Sequence, residues 1–139
     1  MAGAPSWVAE ALRLTWVGHA TVLIEIGGRR FLTDPFLRDR LGPLRRHGRS
    51  VDLATIGRVD AVLLSHAHPD HFDRRSLRRL DGDPLMIVPT GLGTVLERMG
   101  FPVREVGPDD RVEVDRTAVG CGRGGGGRRP IEPASAARR

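Results

Sequence analysis

A chain of 139 residues with ordinary apolar content is one domain's worth of polypeptide, and the absence of any run of about 18 apolar residues excludes a transmembrane helix. Residues 1–10 lack the basic and apolar regions of a signal peptide, which makes the cytoplasm the expected location, and a lone Cys121 excludes an internal disulfide framework. The net charge of +5 invites a nucleic-acid partner, but 17 of the 22 arginines lie in residues 1–117 against sixteen acidic residues, while residues 118–139 hold the other five against one Glu; the body is near neutral and nucleic acid is not the expected partner.

Residues 5–11 suit a short helix capped by Ser6. Leu12 to Val17 alternates apolar and polar as a half-buried strand does, and Gly18-His19 interrupts it. Ala20 to Ile26 is β-branched and predicts a second strand; Gly27-Gly28 is a hairpin signal; Arg29 to Thr33 returns as a third strand, ending at Asp34-Pro35. The opening therefore predicts a β-meander. Residues 36–50 predict a patternless loop with five arginines, either a solvated surface or a flap that favours an anionic substrate through bidentate contacts.

Val59 to Leu64 is a short apolar block of the buried-strand kind. It runs into Ser65-His66-Ala67-His68-Pro69-Asp70-His71, where three imidazoles and a carboxylate fall within six residues. No helical or strand period puts all four on one face, so the spacing predicts a loop that folds them toward a common point. Neutral imidazoles and a carboxylate are the ligand set for Zn²⁺, which makes His66, His68, Asp70 and His71 candidate metal ligands.

Beyond the histidines, Asp73 to Leu80 predicts a helix capped by Asp73, Leu85 to Val88 a buried strand, and Gly91 to Met99 a helix with Leu92, Val95, Leu96 and Met99 on one stripe. Val103 to Val106 and Arg111 to Val114 predict two more strands. Residues 118–139 are dominated by Gly, Arg, Pro and Ala, too little apolar surface to offset ordering entropy, and are expected to be a disordered tail on a folded domain of residues 1–117.

The His-x-His-x-Asp-His spacing at residues 66–71 resembles the metal motif of the metallo-β-lactamase superfamily. Thr15-Trp16-Val17-Gly18-His19-Ala20-Thr21 and Phe31-Leu32-Thr33-Asp34-Pro35 are similar to the opening of its branch of ascorbate-6-phosphate lactonase-like and N-acyl-phosphatidylethanolamine phospholipase D-like proteins. The resemblance implies an α/β fold: the N-terminal half of an αββα sandwich, a mixed sheet with helices on one face. It implies that His66 and His68 hold one metal and Asp70 and His71 a second, with hydrolysis of an ester, lactone or phosphodiester by a metal-bound hydroxide that Asp70 helps to orient. His19 is then a pocket or outer-sphere residue, or simply a histidine bonded to backbone at a strand kink; Asp34 is a turn initiator or a carboxylate aimed at the site. In the superfamily the second half supplies a further His, a bridging Asp and a last His, and this chain has no histidine after His71. A chain truncated in this way, by a shifted frame, as a gene fragment or as a short natural protein, is expected to be weakly active or inactive alone. The alternative is a non-catalytic module that binds a partner, or another copy of itself, through an uncovered sheet face.

Overall fold

The computed structural model describes residues 11–114 and 117–120. In chain order the elements are β1 (Arg13–Gly18), β2 (Thr21–Ile26), β3 (Arg29–Thr33), β4 (Arg40–Leu41), β5 (Leu44–Arg45), α1 (Leu53–Ile56), β6 (Ala61–Leu63), α2 (Arg74–Leu77), β7 (Leu85–Pro89), α3 (Gly93–Arg98), β8 (Val103–Val106), β9 (Arg111–Val114) and β10 (Thr117–Gly120). The predicted helix at residues 5–11 falls on residues 5–10 outside the described region, and Ala11 has no regular structure.

Six strands form one mixed sheet in the order β1-β2-β3-β6-β7-β8. The first three are the predicted meander, and Gly27 and Gly28, at φ 60° and 71°, supply the two left-handed residues that a tight two-residue hairpin needs. From β3 onward the pairing is parallel, with β6, β7 and β8 entering in turn. Parallel neighbours require crossovers, and α1, α2 and α3 lie in them.

The helices share one face of the sheet. Ile56, Leu77 and Leu96, one from each helix, pack with Leu23, Leu32, Val62, Met86 and Val88 from the strands, all at 5% exposure or less. On the opposite face Phe31, Ala61 and Ile87 are covered by Val112 and Val114 of the β9–β10 hairpin. This corrects two expectations. Residues 118–120 are strand rather than tail, because the alternation of Arg111 to Val114 finds a partner in Thr117–Gly120; residues 121–139 lie outside the described region. The sheet face expected to be bare is covered at its β3–β6–β7 centre, and among the described residues the large exposed apolar side chains are Leu12, Leu14 and Trp16 on the β1 side, with Leu14 61% and Trp16 72% exposed, and Leu44 on β5.

Two further departures have local causes. The segment 36–50 contains a small hairpin, β4–β5, turned at Gly42-Pro43 with Gly42 at φ 55°. Helix α3 starts at Gly93 instead of Gly91 because Glu105 Oε1 accepts the N–H groups of both Gly91 and Gly93, holding the entry out of the helix. Helix α2 begins where predicted, with the Asp73 side chain accepting from Ser76 N, but keeps only one turn. Among the described residues no helix is long and apolar enough to cross a membrane.

Candidate metal centre

The centre lies where the chain leaves the carboxyl ends of β3 and β6. These strands are parallel neighbours with Thr33 opposite Leu63, so Asp34, the residue after β3, and Ser65, two residues beyond β6, emerge side by side. Asp34 N–H donates to Leu63 O at 2.9 Å, continuing the ladder one step into the turn. Parallel sheets commonly place ligands at this edge.

The turn between β1 and β2 is fastened to the same edge. Thr33 Oγ1 donates to Ala20 O and accepts from Val22 N, while Thr21 Oγ1 donates to Asp34 O and accepts from Phe36 N. Those bonds carry His19 over the β6 loop. His19 sits at a register shift following Trp16, has φ 54°, and offers its carbonyl to the Trp16 indole N–H at 2.9 Å. A non-glycine residue in the left-handed region costs about 1–2 kcal/mol, so neighbouring bonds must hold it there.

From Leu64 to Phe72 the chain is loop, as the spacing of the histidines requires. His71 N and Phe72 N both donate to His68 O, folding the loop back on itself. The fold gathers all six predicted site residues. His66 Nε2 and His68 Nδ1 are 3.0 Å apart; Asp70 Oδ2 is 3.0 Å from His19 Nε2 and 3.3 Å from His71 Nε2; the His66 and His71 rings stand 4.1 Å apart. Two ligands about 2.0–2.1 Å from a tetrahedral Zn²⁺ lie roughly 3.3 Å from each other. The donor set therefore fits a small divalent cation, and His19, Asp70 and His71 offer three ligand atoms within 4.8 Å of one another.

Asp34 organises this cluster from below. It is 6% exposed, and its Oδ1 accepts Ser65 N–H at 2.7 Å while its Oδ2 accepts the Ser65 hydroxyl at 2.7 Å and His71 Nδ1–H at 2.9 Å. The Ser65 hydroxyl, having given its proton to Asp34, accepts from His66 Nδ1 at 2.8 Å. One carboxylate thus places the protons of His66 and His71 on Nδ1 and leaves each Nε2 as the unprotonated nitrogen, that of His66 facing His68 Nδ1 and that of His71 facing Asp70 Oδ2. Asp34 is more than a turn initiator, although its φ of 34° shows that it makes the turn as well.

The Asp70 carboxyl is held below the usual carboxylate range. Burial pushes it up, but the His19 hydrogen bond, a backbone N–H and the charges of His71 and His19 together outweigh that. Asp70 is ionised at neutral pH, the state a metal ligand needs.

Outside this cluster His47 is exposed, and Cys121 lies outside the described residues. Two arginines of the expected flap point inward: Arg38 forms a two-pronged pair with Asp73 at 2.7 and 2.9 Å, and Arg46 reaches backbone carbonyls. Sequence reasoning gave no role to Ser65. A hydroxyl beside a candidate ligand histidine and opposite a strand-end Asp was the signal that could have found it.

Known proteins share this arrangement of elements. A family model, the beta-lactamase superfamily domain, matches residues 13–121. N-acyl-phosphatidylethanolamine-hydrolyzing phospholipase D 1 of Caenorhabditis elegans is 35% identical over 101 residues, covering 66% of this chain and 28% of that protein. A UPF0173 metal-dependent hydrolase of Exiguobacterium sp. is 36% identical over 92 residues, covering 66% and 38%. The crystal structure of CmlA, a diiron β-hydroxylase from Streptomyces venezuelae, superposes with a TM-score of 0.60 at 30% identity, covering 76% of this chain and 22% of CmlA. The chain also spans 33% of the length of three mycobacterial proteins it matches. A family match over residues 13–121, with a mixed sheet, helices on one face and a histidine loop at its edge, makes this chain a member of the beta-lactamase superfamily domain family and the N-terminal half of a metallo-β-lactamase fold.

Proposed function

We propose that this chain supplies the metal-holding half of a zinc-dependent hydrolase acting on an ester, lactone or phosphodiester of a small anionic substrate. The observation that carries the reading is the shared carboxylate: Asp34 orients His71 directly and His66 through Ser65, so that one buried group sets the ring orientation of two candidate ligands. His66 and His68 form one position and Asp70 with His71 the other, with His19 Nε2 close enough to join the second. When bound, the metal polarises the scissile group and acidifies water. The chain's own part is to aim the imidazoles and to hold Asp70 ionised beside His19 and His71, where its carboxylate orients the attacking water.

The relatives' names support hydrolysis, one of a phospholipid and one by a metal-dependent hydrolase; the diiron centre of CmlA makes iron the competing metal. Arg40 and Arg49 remain exposed on the flap for an anionic substrate. A chain that spans about a third of its relatives is proposed to bind metal better than it turns over substrate. The reading is tested by calorimetric titration with Zn²⁺ and Fe²⁺. Zinc binding that weakens at least tenfold in the His66→Ala/His68→Ala variant supports it; an affinity the double variant leaves unchanged overturns the ligand assignment. A second reading, a non-catalytic module, is favoured by the exposed Leu14 and Trp16 beside β2. Light scattering that shows a clean monomer at high concentration argues against self-association there.

A further inference from the structure

The geometry points to Arg46 as a positioning residue for His19, an inference that rests on the metal-centre reading above. Arg46 follows β5, well away from the histidine loop in sequence, yet its guanidinium runs beneath the β1–β2 turn. Nη1 donates to Val17 O at 3.2 Å, Nη2 to Phe36 O at 2.5 Å and Nε to Arg38 O at 3.5 Å. Its own backbone N–H donates to Asp39 O at 2.7 Å, which fixes the root of the side chain. A planar fork with five donors can hold three carbonyls of different segments at once; an ammonium cannot.

The position of those carbonyls gives the contact its meaning. Val17 precedes His19 by two residues, and the residue between them is Gly18, buried and at φ 135°. A Cβ on Gly18 would lie 1.9 Å from Arg46 Nη1, so the glycine is what lets the guanidinium come under the turn. The other two carbonyls belong to the segment after Asp34-Pro35. The guanidinium therefore ties the strained turn carrying His19 to the loop that carries Asp34. A side chain whose positive φ must be enforced from outside, and whose Nε2 must meet Asp70 within hydrogen-bonding distance, depends on such a tie.

The arrangement also explains the composition of the flap. Its arginines have separate duties: Arg46 grips backbone, Arg38 pairs with Asp73, and Arg45, its immediate neighbour, is exposed. Arg45→Ala removes the same charge from the same hairpin without touching the tie and is the matched control.

The experiment uses the full chain with two readouts. The first is Zn²⁺ affinity by calorimetry for wild type, Arg46→Ala, Arg45→Ala and each combined with His19→Ala. The second is hydrogen exchange of the Trp16 indole N–H, followed by NMR in the metal-free chain, since that N–H is bonded to His19 O. Arg46→Ala is expected to weaken zinc binding about tenfold, a typical loss for an outer support of a metal ligand, and the loss is expected to vanish once His19 is already Ala. Trp16 exchange is expected to quicken in Arg46→Ala and not in Arg45→Ala. Arg46→Lys should recover part of the affinity, and ethylguanidinium at sub-denaturing concentration should restore it in Arg46→Ala, which a general loss of folding would not allow. A loss that persists undiminished in the His19→Ala background, or Trp16 exchange that Arg46→Ala leaves unchanged, overturns the inference. A wild-type chain that binds no zinc overturns the metal-centre reading instead, and the Trp16 exchange rate still decides the role of Arg46.

Discussion

Replacing Asp34 by Asn probes the metal centre most directly, because it changes hydrogen-bonding sense while keeping shape. Asn tolerates the left-handed backbone that Asp34 adopts at φ 34°, so the turn is kept; Ala would add a strain of about 1–2 kcal/mol. The native carboxylate faces three donors: Ser65 N–H, the Ser65 hydroxyl and His71 Nδ1–H. An amide has one accepting oxygen and one donating nitrogen. With its oxygen toward Ser65 N–H, its NH₂ meets the hydroxyl and His71, and His71 must shift its proton to Nε2, the atom that faces Asp70. Flipped, the NH₂ meets Ser65 N–H, and a buried donor pair is left unmatched at about 1–3 kcal/mol. Either outcome damages the site. Zinc affinity is expected to fall about ten- to a hundredfold, the range for such supports, which is about 1.4–2.7 kcal/mol. Calorimetry on Asp34→Asn, with thermal unfolding of the metal-free protein as the control, measures both terms. A variant that folds normally and binds zinc as tightly as wild type would refute the claim that Asp34 sets the histidine tautomers.

Two further outcomes follow from the packing. The Asp73 carboxyl is pushed up by burial, but more strongly held down by the Arg38 and Ser76 hydrogen bonds and the Arg38 charge, so its folded value lies below the 3.8 of a free side chain. A depressed carboxyl stabilises the fold above that free value and loses the contribution as pH falls through the lower folded value. Asp73→Asn should therefore lower the unfolding midpoint at neutral pH, by about 1–3 kcal/mol of stability, with the gap to wild type closing in strong acid; a gap independent of pH would contradict this. Leu77, 1% exposed under the sheet, should cost about 2–5 kcal/mol as Leu77→Ala in chemical denaturation, whereas Leu14→Ala, at a site 61% exposed, should cost far less.

Much of this arrangement was legible from residue patterns. The meander, the buried strands and the histidine loop follow from periods and turn residues, which are local properties. Asp34 and His19 were visible as candidates, but only the parallel pairing of β3 with β6 shows why Asp34 meets Ser65 and His71. The β4–β5 hairpin was not legible, because strands of two residues carry no alternation to detect. Arg46 stood among five arginines that composition treats alike, and only the carbonyls it reaches separate it from Arg45. The continuation of β9 into β10 was missed because alanine and glycine at its end look like tail until a partner strand supplies the hydrogen bonds.

The pairing of Thr33 with Leu63 also governs the order of assembly. The β1–β2–β3 ribbon is joined by short turns and can close quickly on its own, whereas β6 must be brought back across the intervening segment before it can dock. The ribbon carries Asp34 and His19, and the histidine loop joins them only when β6 docks. A nascent or partly unfolded chain holding only the ribbon has no cation trap, so metal capture is tied to completion of the sheet.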